Sequence, residues 1–233
     1  MTRDNFANEV LSDQYLLRKN QIYLFGPIET GMAARVIPQM HYIEQKMIDE
    51  ALAAGKIVML GRDMDEKYLA CVQAQAVNPE AVKAVADELK IVYSPLHGTG
   101  YRLVPEILRR TGLKHLYTVD EQMVISGDFP TVAKPNPEYK EVFDIGMKIA
   151  DEVGSDLVVA TDPDADRVGV VTRTPDGSFT TITGNQMGAL LMDYILTAYE
   201  ETNTMPEIPF AVKTIVTTEL AAKICEAHGV KMH

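Results

Sequence analysis

The stretch DLVVATDPDADRVGVVT, Asp156 to Thr172, sets three aspartates and an arginine between two Val-rich apolar runs. Short apolar runs of this kind read as buried strands, which makes the hexapeptide DPDADR a loop at a strand end. Asp162, Asp164 and Asp166 alternate, and an extended backbone would turn their three carboxylates the same way. Converging carboxylates repel one another unless a cation neutralises them, and an all-oxygen set suits a hard ion such as Mg2+. Arg167 adds a fork-shaped donor matched to phosphate oxygens.

Outward from that loop, strand and helix patterns alternate. KIVY (Lys90 to Tyr93) reads as a strand, SPLHGTG as a loop, Tyr101 to Arg110 as a helix and Leu113 to Val119 as a second strand. Asp120 to Pro137 is irregular, with Gly127, Pro130, Pro135 and Pro137, and a connection of that length is often functional. Glu138 to Val153 then reads as a helix stopped by Gly154. After the acidic loop, Val168 to Thr172, the Pro175-Asp176-Gly177 turn and Ser178 to Thr183 predict a hairpin. The fold expected is α/β, a mainly parallel mixed sheet covered by helices, with its sites at the carboxyl ends of strands.

The flanks are less regular. Residues 1–40, including the mixed segment Ile22 to Phe25, carry no assigned site, His41 to Ala54 has helical spacing, and Lys56 to Leu60 reads as a short strand. Two more helical patterns follow, about Asp65 to Gln75 and Pro79 to Leu89, the latter capped by Asn78. A new unit begins at Gly184, with a helix over Asn185 to Tyr199, a strand over Phe210 to Ile215, a helix over Thr218 to His228 and a strand starting near Val230. So few elements bury too little to stand alone, which predicts an incomplete second α/β domain in a truncated chain. The domain reading is therefore 1–57 as an N-terminal segment, 58–183 as the α/β domain with the acidic loop, and 184–233 as the start of another.

Composition narrows the function. At 233 residues and 46% hydrophobic, the chain can bury a core, and a net charge of -11 argues against nucleic acid or an anionic membrane as partner. No apolar run approaches a membrane-spanning length, the N-terminus lacks a signal-peptide core, and Cys71 and Cys225 are isolated, all of which fit a cytoplasmic protein with reduced thiols.

An EF-hand reading of D-x-D-x-D fails because its sixth position is Arg167 rather than Gly and its twelfth is Arg173 rather than Glu. SPLHGTG places two glycines between a strand and a helix, where backbone N–H groups can meet phosphate, although a tight turn with His97 packed locally fits equally. Lys213 lies in the apolar run FAVKTIV, where an ammonium points into a site, reaches to water or marks an edge strand. The twelve methionines read as core filler, and no serine has the partners of a hydrolase triad.

Five segments in order, YSPLHGTG (Tyr93 to Gly100), FPTVAKPNPE (Phe129 to Glu138), ATDPDADRVG (Ala160 to Gly169), TGNQ (Thr183 to Gln186) and VKTIVTTEL (Val212 to Leu220), resemble the phosphoglucomutase/phosphomannomutase family of phosphohexomutases. The resemblance implies the second domain and the first part of the third of a four-domain enzyme. It also implies interconversion of hexose 1-phosphate and 6-phosphate through a phosphoserine and a bisphosphate intermediate. By the same resemblance Asp162, Asp164 and Asp166 hold Mg2+, Arg167 contacts phosphate and Lys213 faces the active site. The family's phosphoserine lies in a Ser-His-Asn-Pro context that none of Ser12, Ser94, Ser126, Ser155 or Ser178 has, so this chain alone is expected to be inactive. The partners implied are a phosphorylated hexose and further domains of the same enzyme. Two alternatives remain open on the residues: a haloacid-dehalogenase-type phosphatase with an aspartate nucleophile, which DADRV matches loosely, and a non-catalytic α/β ligand-binding module built on SPLHGTG.

Overall fold

The computed structural model describes residues 46–55 and 61–233. The chain divides into two units, Met1–Gly61 and Arg62–His233. In the first, helix α1 spans 46–53 and Gly55 follows it at φ +67. The expectations for residues 1–40, for the start of the helix at His41 and for a strand over Lys56 to Leu60 lie outside the described residues.

The second unit opens with α2 (Arg62–Gln73) and α3 (Pro79–Val85). Asn78 caps α3 by accepting the Ala81 N–H at 3.3 Å, and Pro79 takes the first position, where no backbone N–H is needed. The helix stops at Val85, short of the expected Leu89. Strand β1 (Lys90–Ser94), helix α4 (Leu103–Arg110) and strand β2 (His115–Thr118) follow. Arg110 ties α4 to α2 by a two-pronged grip on Glu66, both contacts 2.8 Å, and Arg102 pairs with Asp65.

Helix α5 (Asp144–Val153) is shorter than expected, because Lys140–Phe143 winds as a 3-10 turn before it. Strands β3 (Leu157–Thr161), β4 (Val168–Arg173) and β5 (Phe179–Ile182) complete a five-stranded sheet ordered β2-β1-β3-β4-β5. The pairs β1/β2 and β1/β3 are parallel, and β3/β4 and β4/β5 are antiparallel, which is the mixed sheet anticipated. Val92, Val158 and Val171 from the central strands pack with Val142, Phe143 and Ala150 from the α5 region in one core. Burial of Ile91 to Ser94 on both faces explains why β1 reads as a continuous apolar run, while β3 and β4 are less completely covered.

Beyond the sheet lie α6 (Gly184–Glu201), β6 (Phe210–Ala211), α7 (Glu219–Ala227) and β7 (Lys231–Met232). Thr183 and Gln186 close a capping box on α6, each side chain satisfying the other residue's backbone N–H. A separate small core forms here from Leu196, Cys225 and Val230. The strand expected over Phe210 to Ile215 is only two residues long. Ile215 is 97% exposed and Val216 81%, so the apolar run continues past the point where anything buries it. Among the described residues no helix is long and apolar enough to cross a membrane.

Candidate functional site

Because β1 and β3 are adjacent and parallel, the loops leaving their carboxyl ends lie side by side. SPLHGTG follows β1, and DPDADR follows β3 as the hairpin turn into β4. The two loops touch backbone to backbone. Thr99 donates its N–H to Pro163 O at 2.8 Å, and a Cβ on Gly98 would fall 2.2 Å from Pro163 Cα, so only glycine fits there. The third segment is held as closely: a Cβ on Gly169 of β4 would meet Pro137 O at 2.2 Å.

The acidic loop is a tight turn rather than the extended segment expected. Ala165 donates to Asp162 O at 3.0 Å and adopts a left-handed φ of 62°. The alternation of the aspartates therefore does not aim them; the turn does. One carboxylate oxygen from each of Asp162, Asp164 and Asp166 lies within 4.8 Å of the others, with Asp162 buried and the other two exposed. Arg167 fixes the buried member, its backbone N–H 2.9 Å from Oδ1 and its Nε 2.8 Å from Oδ2.

Burial disfavours the charge on Asp162, but hydrogen bonds from the Arg167 backbone and guanidinium, together with those shared with Asp166 and Asp164, hold the carboxyl below its usual range. Asp166 moves the other way, raised by its hydrogen bond with Asp162 and by the Asp164 charge. Three carboxylates this close carry more negative charge than one arginine neutralises. The oxygen-only donor set fits Mg2+. Octahedral ligands at about 2.1 Å from the ion lie about 3 to 4 Å apart, a spacing that small rotations of the exposed pair reach from 4.8 Å.

The loop over 120–137 is pinned by a buried polar chain. Leu96 N–H donates to Ser94 Oγ (3.0 Å), Ser94 to Gln122 Oε1 (2.5 Å), and Gln122 Nε2 to Thr131 Oγ1 (3.0 Å). Thr131 then meets His97 Nε2 at 2.8 Å, and His97 Nδ1 lies 2.8 Å from Val124 O. A carbonyl only accepts, so Nδ1 carries a proton and Nε2 is left to take the threonine hydroxyl. His97 is thus a structural staple, and Leu96 and His97 hold left-handed φ values of 47° and 65° in the turn it fastens.

Arg167 and Asp164 line a cleft of about 590 Å3 together with Thr99, Lys134, Asn136 and Tyr139. Lys134 and Asn136 belong to FPTVAKPNPE, one of the five segments of the family resemblance, but that resemblance carries no role for them, and Tyr139 lies just beyond it. Lys213 is not among the residues lining the cleft. Its ammonium pairs with Glu219 at 2.7 Å and leans toward Thr217 O at 3.4 Å.

Residues 66–177, which include all three segments of this site, match the family model for phosphoglucomutase/phosphomannomutase, alpha/beta/alpha domain II. They are a domain II of that family. Domain II and its surroundings are 34% identical over 191 residues to a phosphoglucomutase of Staphylococcus saprophyticus, covering 82% of this chain and 33% of that protein. A phosphomannomutase of Mycoplasmoides pirum is 36% identical over 143 residues, 61% of this chain and 25% of its own length. The chain thus spans a quarter to a third of these curated relatives. A crystal structure of a Thermus thermophilus protein assigned as a phosphomannomutase superposes with a TM-score of 0.51 at 23% identity, covering 72% of this chain and 36% of that one. That likeness concerns the fold alone.

Proposed function

We propose that this chain is the metal-bearing part of a phosphohexomutase, which interconverts hexose 1-phosphate and hexose 6-phosphate through a phosphoserine enzyme and a bisphosphate intermediate. The observation that carries the reading is the convergence of Asp162, Asp164 and Asp166 on a turn clamped by Arg167, in a domain II of the mutase family. These three aspartates would hold Mg2+, which supplies charge neutralisation for a transferring phosphoryl group. Phosphoryl transfer depends mainly on positioning and electrostatics, and the chain's own residues provide both. Arg167 uses Nε and its backbone N–H to orient Asp162 and leaves its terminal nitrogens for phosphate oxygens.

The phosphoserine belongs to another part of the enzyme. Ser94 and Ser155 are buried and hydrogen-bonded, and Ser126 and Ser178 serve local turns. The domain reading is proposed with it: 58–183 as the metal domain and 184–233 as the start of the next, supported by the separate core of Leu196, Cys225 and Val230. Lys213 is proposed to reach the active site only once the remainder of that next domain surrounds it. The enzyme's setting is proposed as cytoplasmic, in keeping with the free thiols of Cys71 and Cys225.

Calorimetric titration of Mg2+ into the 233-residue chain tests this. Weak binding is expected, abolished by Asp164→Ala, with no turnover of glucose 1-phosphate by the chain alone. Tight binding that survives Asp164→Ala would overturn the metal assignment, and steady conversion of glucose 1-phosphate would overturn the placement of the nucleophile elsewhere.

A further inference from the structure

The part of the cleft lined by Ala133 to Asn136 carries donors that the reading above does not use. Lys134 lines the cleft, forms no ion pair among the described residues, and sits with its ammonium 5.8 Å from the centroid of the Tyr139 ring. What distinguishes Lys134 is its place: its ammonium is unpaired, among the described residues, in a cleft that Asp164 and Arg167 of the acidic loop also line. Asn136 accepts the Glu138 N–H on Oδ1 at 2.9 Å, which leaves its amide N–H groups uncommitted among the described residues. Arg167, committed to Asp162 through Nε, lines the same cleft and keeps its two terminal nitrogens uncommitted among the described residues. The cleft, about 590 Å3, is within the range that holds a small organic ligand.

We propose that Lys134 and Asn136 complete with Arg167 a binding site for a phosphate monoester dianion beside the acidic loop. Arg167 offers a planar fork for two oxygens, Lys134 a point charge, and Asn136 a neutral donor, so the three divide the oxygens of one phosphate without competing. Lys134 is then a positioning residue for the phosphoryl group. The proposal rests on the mutase reading for the identity of the anion as a phosphoryl group. Its geometry does not require the metal.

Inorganic phosphate is the probe, titrated into the 233-residue chain by calorimetry with Mg2+ absent and again with Mg2+ saturating. Lys134→Gln is expected to weaken phosphate binding roughly 5- to 10-fold, the size of a charge-assisted hydrogen bond partly exposed to water. Lys134→Arg should restore most of it, and the Mg2+ affinity of Lys134→Gln should match the unsubstituted chain. Lys140→Gln removes the same charge nearby, from a lysine whose ammonium donates to Phe179 O at 2.8 Å and does not line the cleft. It should have less than about a twofold effect, as expected for a screened surface charge. Equal losses for the two glutamine variants, no loss for Lys134→Gln, or no phosphate binding by the unsubstituted chain would each overturn the site. Loss of phosphate binding in Lys134→Gln where no Mg2+ binds would uphold the anion site while sinking the metal assignment. Mg2+ binding abolished by Asp164→Ala, with phosphate indifferent to Lys134, would do the reverse.

Discussion

Gly98→Ala should disable the acidic loop without touching a carboxylate. The added methyl would sit 2.2 Å from Pro163 Cα, 2.4 Å from its O and 2.6 Å from its C, all backbone atoms that cannot swing away. Ordinary carbon contacts begin near about 3.5 Å, so the two loops must part by roughly 1.3 Å. The Thr99 N–H to Pro163 O bond, now 2.8 Å, would then stretch to about 4 Å and be lost. One lost hydrogen bond costs about 1 kcal/mol and the displaced packing a further 1 to 3 kcal/mol, together about 2 to 4 kcal/mol. At roughly 2 to 4 °C per kcal/mol for a chain of this size, the thermal midpoint should fall by about 5 to 15 °C. Differential scanning calorimetry reads that shift, and Mg2+ titration below the new midpoint should show affinity reduced or lost. Gly127→Ala is the control, since a Cβ there meets nothing within 4 Å. A Gly98→Ala chain that melts and binds Mg2+ like the unsubstituted one would refute the idea that SPLHGTG shapes the aspartate turn.

Two further outcomes follow from buried or paired groups. Gln122→Leu removes the bonds from Ser94 and to Thr131 and leaves the buried Ser94 hydroxyl without its acceptor, so urea denaturation should show a loss of about 2 to 4 kcal/mol. His228 lies between Glu200 at 2.8 Å and Asp193 at 3.6 Å, and its pKa is raised chiefly by the hydrogen bond to Glu200. Its folded value exceeds the ordinary 6.5, so its contribution is fully present below pH 6.5 and fades as pH rises through the folded value. The melting temperature of the α6–α7 region should drop on going from about pH 5.5 toward about pH 8, and His228→Gln should flatten that part of the profile. An unchanged profile in the variant would show that the pair does not act as described.

Part of the site is legible in the sequence because its chemistry is compressed into six consecutive residues. Whatever the loop conformation, three carboxylates and an arginine within DPDADR must stay near one another, and buried strands on both sides fix where they stand. The carboxylates are nonetheless gathered by a turn and not by the pleat of an extended backbone, since Ala165 enters the left-handed region. At Phe210 to Ile215 the apolar pattern overran the strand, because a run of hydrophobic residues reports a local preference and not whether a neighbour is present to cover it. Lys213, costly in a buried strand, lies just past β6 with its N–H donating to His233 O at 3.0 Å, and its largely covered side chain carries its ammonium out to Glu219.

By itself, the sequence determined the strand-loop-helix rhythm, the hairpin after the acidic loop, the helix caps at Asn78 and Gly154, and the carboxylate set suited to a hard cation. These follow from interactions between residues a few positions apart. Only the tertiary structure decided that Gly98 rests on Pro163, that Gly169 rests on Pro137, and that Lys134 and Asn136 share a cleft with Arg167. Those contacts join residues some thirty to sixty-five positions apart, brought together by the parallel pairing of β1 with β3 and by a polar chain through Gln122 and His97. Which distant donors share a space depends on strand order and loop packing, and neither is written in the local pattern of any one segment.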